Sequence, residues 1–485
     1  MEELPDSWVS VSLADVVVIN PGIDKSQFSD DDQLAFIPMP AVEAETGKID
    51  TTERRAFSTV KTGFTAFATG DVLFAKITPC MENGKMAIVP KLPNGVGFGT
   101  TEFHVLRPTT AVEARLIYHF VASSAIRHEA QHQMTGAVGQ KRVPKRYLET
   151  KDFPLPPINE QRRIVEKIET LFARLDQGEA DLRQVQTLLA RYRQSVLKAA
   201  VTGQLTADWR AENAHRLEHG RDLLARILKT RRETWQGHGK YKEPAAADTT
   251  DLPNLPDGWV WSSAGELCEC IVPNRDKPKS FSGDIPWITI PDLDDRGYRV
   301  SESRTNIGLS MAEAEQYRAR IVPKGSVVMT CIGRFGISAV CDRDIVINQQ
   351  LHAFIVPRGQ LDGPFLAFAL QAQKERMESV ATSTTIAYLN KSNCNNTPVP
   401  VPPLEEQLEV SQRIRCALDH IQNLNQNCQT ELTRSTALRQ SILKQAFAGR
   451  LVPQDPNDEP ASELLARIRA DQPAVKGQTR KKVSA

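Results

Sequence analysis

The 485-residue chain carries almost no net charge, +1 at neutral pH, which argues against a polycationic nucleic-acid coat but leaves specific binding open. Its eight cysteines never form a CxxC pair. The tightest spacing, Cys268 and Cys270, has one residue between, so reduced thiols in a cytoplasmic protein are expected. No apolar run approaches the ~18 residues that a membrane span requires, and the acidic start MEELPDSWV lacks the basic-then-apolar layout of a signal peptide. A membrane partner is therefore not expected.

Catalytic signatures are equally scarce. No G-x-x-x-x-G-K-[ST] loop occurs, so any ATP is handled by another chain. No Asn/Asp-Pro-Pro-aromatic tetrapeptide of the adenine-methyltransferase type is present, and PDLDDR (291–296) is not followed by (D/E)xK at useful spacing. NGVGFG (94–99) lacks the rest of a dinucleotide fingerprint and suits a turn or hairpin. One motif needs weighing: HEAQH (128–132) fits the zinc-peptidase pattern, with His128 and His132 on one helical face and Glu129 as base. Its surroundings are polar and no third ligand is evident. The second half of the chain carries no counterpart near 376–380 (RMESV). The chain is read as having no catalytic site of its own and no metal.

What the sequence does have is a repeat. PLPPINEQ (154–161) returns as PVPPLEEQ (400–407), and RQSVLKAAVTGQL (193–205) as RQSILKQAFAGRL (439–451). Pro156 to Leu205 and Pro402 to Leu451 align without a gap at an offset of 246, and LLARI follows at 223–227 and 464–468. Upstream the repeat is weaker: LPDSWV (4–9) matches LPDGWV (255–260), with offsets that drift from 251 through 255 at Gly70/Gly325 to 248 at His104/His352. The heads tolerate insertions and the segments after them keep their length.

Those segments read as helices. Ile164, Ile168, Leu171, Leu175, Gly178, Leu182, Val185, Leu189, Tyr192 and Val196 alternate steps of four and three, a heptad seam weakened at Gly178. The second seam runs Val410, Ile414, Ala417, Ile421, Leu424 and Cys428, turns polar at Glu431 and Ser435, and recovers at Leu438 and Ile442. Pro157 and Pro403 precede the first turns, and Gly203 and Gly449 suit the C-terminal stops. Helices of this length outreach a head of about 150 residues, so the two seams are expected to pair. Antiparallel pairing, with the heads at opposite ends, avoids crowding.

The expected fold class is α+β: two α/β heads and two long helices in an antiparallel coiled coil, as a pseudo-two-fold internal repeat. The expected divisions are head 1 (1–153), helix 1 (154–203), a connector (204–250), head 2 (251–398), helix 2 (399–449) and a C-terminal tail (450–485) whose end, KGQTRKKVSA, reads as mobile.

A head ending in PxPPxxEQ, a long helix closing in RQSxLKxAxxGxL, and the whole arrangement given twice resembles the specificity subunit of type I restriction–modification enzymes, over essentially the full chain. The resemblance implies that each head is a target-recognition domain for one half of a bipartite site in double-stranded DNA. It implies that the paired helices set the spacing and hold two copies of a modification (methyltransferase) subunit, with ATP-dependent restriction (translocase and nuclease) subunits joining them. S-adenosylmethionine, ATP and Mg would then be bound by those partners and not by this chain, a non-catalytic subunit of a site-specific deoxyribonuclease and adenine methyltransferase complex. Two alternatives are a coiled-coil adaptor that merely bridges proteins, and a zinc peptidase built on His128-Glu129-x-x-His132. A plain bridge needs no pair of divergent heads, and the missing second histidine motif disfavours the peptidase.

Candidate DNA contacts are harder to place. Lys and Arg number 16 against 19 Asp and Glu in residues 1–153, a net of −3, and 15 against 17 in 251–398, a net of −2. Basic residues must therefore gather on one face, or partners must share the phosphate grip. The densest cluster in either head is Lys141, Arg142, Lys145 and Arg146. Lys391 stands at the ungapped equivalent of Lys145, flanked by Asn390 and Asn393, which could serve base edges. Lys76, Lys85 and Arg334 follow core strands and suit loop contacts. In the RQS motif, Arg193, Gln194, Ser195 and their copies suit binding to partner subunits or the opposite helix.

Overall fold

The computed structural model describes residues 4–110, 112–137, 139–235, 239–273, 277–382 and 386–471; the end of the tail, KGQTRKKVSA, lies outside them. Two compact units emerge, Met1–Leu182 with Gln429–Ala485 and Arg183–Cys428. Each holds one head, the first part of the long helix that follows that head, and the last part of the other long helix.

Head 1 is built from strands β1 (Val9–Ser12), β2 (Val17–Ile19), β3 (Gln33–Ile37), β4 (Arg54–Ala56), β5 (Thr65–Ala68), β6 (Val72–Ala75), β7 (Met86–Ile88), β8 (Val96–Gly99), β9 (Phe103–Pro108) and β10 (Asp152–Leu155). They form sheets β2-β9-β6-β7 and β4-β3-β8-β5, and the pair β1-β10. β6 shows why: in Val-Leu-Phe-Ala, Val72 and Phe74 enter one apolar core with the helix Ala114–Ala122, while Leu73 and Ala75 enter a second core on the other face. A strand covered on both faces carries no polar alternation.

Head 2 repeats this plan with β11 (Val260–Ser263), β12 (Glu269–Ile271), β13 (Ile285–Ile288), β14 (Arg299–Val300), β15 (Gly308–Leu309), β16 (Ile321–Val322), β17 (Val327–Thr330), β18 (Ser338–Cys341), β19 (Ile345–Ile347), β20 (Leu351–Ile355) and β21 (Pro398–Val401). Its sheets β12-β20-β17-β18 and β15-β13-β19-β16 match those of head 1 strand for strand. β14, added in parallel beside β18, is the one extra strand among the described residues. It accounts for part of the insertion that shifts the sequence offset between the heads.

The long helices span Ile158–Val201 and Leu404–Phe447, 44 residues each. They begin one residue after Pro157 and Pro403 and stop before Gly203 and Gly449, whose φ angles are +71° and +69°. A side chain at Gly449 would meet Pro5 at 2.3 Å, and one at Gly203 would meet Pro256 at 2.6 Å. The glycines that end the helices thus serve the left-handed turn and a close approach to the LPDxWV segment of a head.

The Glu-Gln of PPxxEQ forms the other half of that junction. In the first unit the Trp8 indole donates to Glu160 at 2.9 Å and Gln454 donates to its other oxygen. In the second, Trp259 donates to Glu406 at 2.8 Å, joined by Thr206 at 2.7 Å and Arg210 at 2.9 Å. Gln161 and Gln407 donate back to Pro156 and Pro402 and accept from the backbone amides of Glu113 and Asp362. All four side chains are buried, which explains why the motif recurs unchanged.

The helix segments run antiparallel inside each unit. In the first, Ile164 and Ile168 share a core with Leu443 and Ala446, while farther along Glu179 accepts from Ser435 at 2.7 Å and from Arg439 at 3.0 Å. In the second, Val196 and Leu197 pack in one core with Val410 and Ile414. Of the seam residues, Ile164, Ile168, Leu189, Val410, Ile414 and Ile421 are buried, as are Ser435 and Cys428. Leu171, Leu175, Leu182 and Ile442 are half-buried. The seam needs correcting at Val185, Leu424 and Leu438, which are 39, 48 and 43% exposed, and Tyr192 is exposed too. A head supplies a third layer near the helix ends, where the adjacent pairs Ile164–Val165 and Val196–Leu197 are buried together. Away from the heads, with no third layer over the pair, residues that keep the heptad spacing still reach solvent.

The LLARI echo has one meaning in both places. The helix Gly220–Glu233 sends Leu223 and Ile227 into the core of the second unit, and the helix Ala461–Asp471 sends Leu464, Leu465 and Ile468 into the core of the first. The segment from 450, read from sequence as the start of a tail, therefore contains a packed helix.

Candidate nucleic acid interface

Three segments converge at one place in head 1: the loop after β6, the turn into β9, and the stretch before a short helix, Lys145–Glu149. Backbone bonds hold them together. The amide of Lys76 donates to Glu102 at 2.9 Å, that of Val143 to Lys76 at 2.8 Å, and that of Thr78 to Lys141 at 3.0 Å. Head 2 repeats each bond: Cys331 to Gln350 at 3.0 Å, Leu389 to Cys331 at 2.8 Å, and Gly333 to Ala387 at 2.9 Å. The bridges Ile77–Arg142 and Thr135–Arg142 return as Ile332–Tyr388 and Thr382–Tyr388. The short helix returns as Lys391–Asn395, so Lys145 and Lys391 both occupy a first helical position.

On this shared backbone the side chains differ. Where head 1 has Lys76, Thr78, Glu102, Lys141 and Arg142, head 2 has Cys331, Gly333, Gln350, Ala387 and Tyr388. His104 and His352 stand at the same point of β9 and β20. His104 bonds the Val143 carbonyl at 2.9 Å and Asn20 at 3.2 Å, and burial pushes its pKa down. Burial takes His352 down to about 4, and its Nδ1 is buried without a hydrogen-bond partner among the described residues. Burial disfavours the charged form of both rings.

The structure sorts the sequence candidates by what they already hold. Arg142 is clamped by Glu102, with contacts of 2.8 and 2.9 Å, and Lys145 pairs with Glu149 at 2.9 Å. The same Arg142 guanidinium keeps the Glu102 carboxyl below its ordinary range. Lys85 donates to the Met39 carbonyl at 3.1 Å, and Arg334, although exposed, pairs with Asp295 at 2.9 Å. Asn390 caps its helix by accepting from the Asn393 amide at 2.8 Å, and the Asn393 side chain donates to the Val380 carbonyl at 3.0 Å. These two asparagines therefore have part of their bonding capacity committed to the fold. Lys141, Arg146 and Lys391 are exposed, and Lys76 half-exposed, with no side-chain ion pair among the described residues.

Sequence reasoning passed over Ile386 and Tyr388, which are 63 and 36% exposed on the converging surface of head 2. The signal was available, because the offset of 246 that pairs Lys145 with Lys391 also sets Arg142 opposite Tyr388. The arginine of the RQS motif is likewise used internally. Arg193 donates to Gln371 of its own unit at 2.7 Å, and Arg439 reaches Asp176 at 2.6 Å.

HEAQH lies on the helix Ser124–His132 with both rings exposed, 4.6 Å apart. Glu129 is engaged by Lys151 at 2.6 Å. No group of three or more candidate metal ligands exists among the described residues. Nothing in this arrangement supports a peptidase centre.

A family model described as the type I restriction modification DNA specificity domain matches twice, at residues 5–185 and 256–434. The chain is similar to the EcoEI specificity subunit of Escherichia coli, 27% identical over 91% of this chain and 83% of that one. It is 33% identical to the EcoAI specificity subunit of the same species over 55% of this chain, spanning about half of that relative (51%). Two solved structures share the fold. One comes from work on the assembly and conformational transition of the type I R-M system, with a TM-score of 0.66 at 22% identity, covering 93% of this chain and 100% of that one. The other is the HsdS subunit of Thermoanaerobacter tengcongensis, with a TM-score of 0.57 at 22% identity, covering 92 and 98%.

Proposed function

The chain belongs to the family of type I restriction–modification DNA specificity proteins, and from that premise we propose that its two heads read the two unlike halves of one bipartite DNA site. DNA recognition is the role of the family, and the chain is a non-catalytic part of a type I system. The observation that carries the finer reading is the pair of matched backbone frameworks with mismatched side chains. Two modules with one scaffold dock alike, whereas Glu102–Arg142 against Gln350–Tyr388 presents different chemistry to the bases.

Head 1 (1–153) and head 2 (251–398) act as target-recognition domains, and the helices set the interval between half-sites, which DNA geometry counts in turns of ~34–36 Å. Lys141, Arg146, Lys391 and Lys76 hold phosphates. Arg142, Lys145, Lys85, Arg334, Asn390 and Asn393 support this surface, their side chains being already partnered within it. Two copies of a modification subunit dock on surfaces that the chain repeats. Ser195 with Lys198, and Ser441 with Lys444, are exposed and identical in the two copies, which supports that placement. Restriction subunits complete the complex, and S-adenosylmethionine, ATP and Mg belong to the partners.

The test is the methylome of the host at single-molecule resolution. A bipartite motif with unlike halves should vanish when this gene is deleted and return on complementation. An unchanged methylome would refute the reading.

A further inference from the structure

We infer that Ile386 and Tyr388 of head 2 read the C5-methyl groups of thymine in the second half-site, so that this half-site is recognised through apolar contact and the first is not. The inference rests on the DNA-reading role proposed above and assigns it to two residues. Ile386 is 63% exposed and Tyr388 36% exposed, on the segment that bridges Ile332 and Thr382. A side chain added at Gly333 would lie 3.9 Å from Ile386, which places that isoleucine beside the loop after β17. The tyrosine backbone is paired with Thr382, donating to its carbonyl at 3.0 Å and accepting from its amide at 3.1 Å. Tyr388 thus sits on a fixed strand-like pair with about a third of its surface, 36%, open to solvent.

Two cations lie on the flanking segments, Lys391 exposed and Arg334 paired with Asp295. Arg334 lies on the neighbouring loop, and Lys391 opens the short helix three residues beyond Tyr388. An apolar centre beside exposed cations suits a duplex, in which methyl groups lie in a groove lined by phosphates. In head 1 the 246-residue offset sets Gln140 and Arg142 at these positions, both polar, with Arg142 held by Glu102. The contrast is local, because the flanking backbone bonds are the same in both heads.

Replacing thymine by uracil removes the methyl and leaves the base-pairing edge intact, so it isolates this contact. The full-length chain, assembled with its modification subunit, is titrated with duplexes in which each thymine of the methylome-defined site is replaced in turn. At least one replacement in the second half-site should weaken binding about three- to fivefold, the size of one lost methyl contact. That penalty should disappear in Ile386→Ala or Tyr388→Ala, while replacements in the first half-site affect wild type and variants alike, which also checks folding. The inference is overturned if the second half-site contains no thymine in either strand. It is equally overturned if no uracil replacement there weakens wild-type binding, or if the penalty survives both variants. A wild-type complex with no preference for any bipartite site would instead defeat the DNA-reading assignment itself.

Discussion

The Trp259 indole donates to the carboxylate of Glu406 across 2.8 Å, 147 residues away in sequence, and Trp8 makes the same bond to Glu160 at 2.9 Å. Each bond ties the start of a head to the first turn of the helix that follows it. Glu406 is fully buried and also accepts from Thr206 and Arg210. Glu406→Ala strands the buried donors of Trp259 and Thr206 and unpairs the half-buried Arg210, and should destabilise the second unit by about 3–5 kcal/mol. Denaturant unfolding of the full chain measures this, and a change below about 1 kcal/mol would remove Glu406 from its structural role.

Stability should depend on pH through two histidines. Burial takes His119 and His352 to about 4, from an ordinary 6.5. A base with a depressed pKa in the fold is protonated first in the unfolded chain. Its contribution is therefore complete above pH 6.5 and is lost as pH falls toward 4. At pH 5 each residue should cost roughly 2 kcal/mol relative to pH 7. His119→Phe, whose ring can keep the edge contact with Phe172, and His352→Leu should each reduce the difference between urea melts at the two values. Equal pH dependence in wild type and variants would contradict the assignment.

Salt dependence separates working cations from paired ones. Lys141→Ala with Arg146→Ala should lower the slope of log affinity against log salt by up to about 2, nearly as much as replacing all four basic residues of the cluster. Arg142 and Lys145 add little because Glu102 and Glu149 already neutralise them. A slope unchanged by the double variant would take the cluster out of the interface.

Helix length should control spacing and nothing else. Removing two heptads, about four turns, from the middle of both long helices shortens each by ~21 Å. The interval between methylated half-sites should contract while the bases of each half-site stay the same. Altered half-site bases at an unaltered interval would contradict the helices' part in the account.

The helices and the doubling were legible in the sequence because an ungapped 246-residue offset, flanking prolines and terminal glycines all express one constraint, fixed length. The seam was less legible. Val185, Leu424 and Leu438 fit the heptad but reach solvent, since spacing records the partner helix and not whether a head covers the far side. The interface was the least legible part. Its cations were found by composition, yet whether each is free depends on tertiary neighbours such as Glu102 for Arg142, 40 residues away. Tyr388 carries no charge and leaves no mark in the charge pattern, and only its exposure in the fold, 36%, sets it apart.

The most direct measurement of the central claim is the methylated motif obtained with a chain in which residues 251–398 are replaced by a second copy of 1–152, since Asp152 and Pro398 hold the same place in the strand pairs β1-β10 and β11-β21. The replacement keeps the junctions, since Pro5 and Trp8 occupy the places of Pro256 and Trp259. Two identical readers should convert the unlike bipartite motif into two inverted copies of the first half-site at the original interval. A methylated motif that still contains the second half-site would contradict the account.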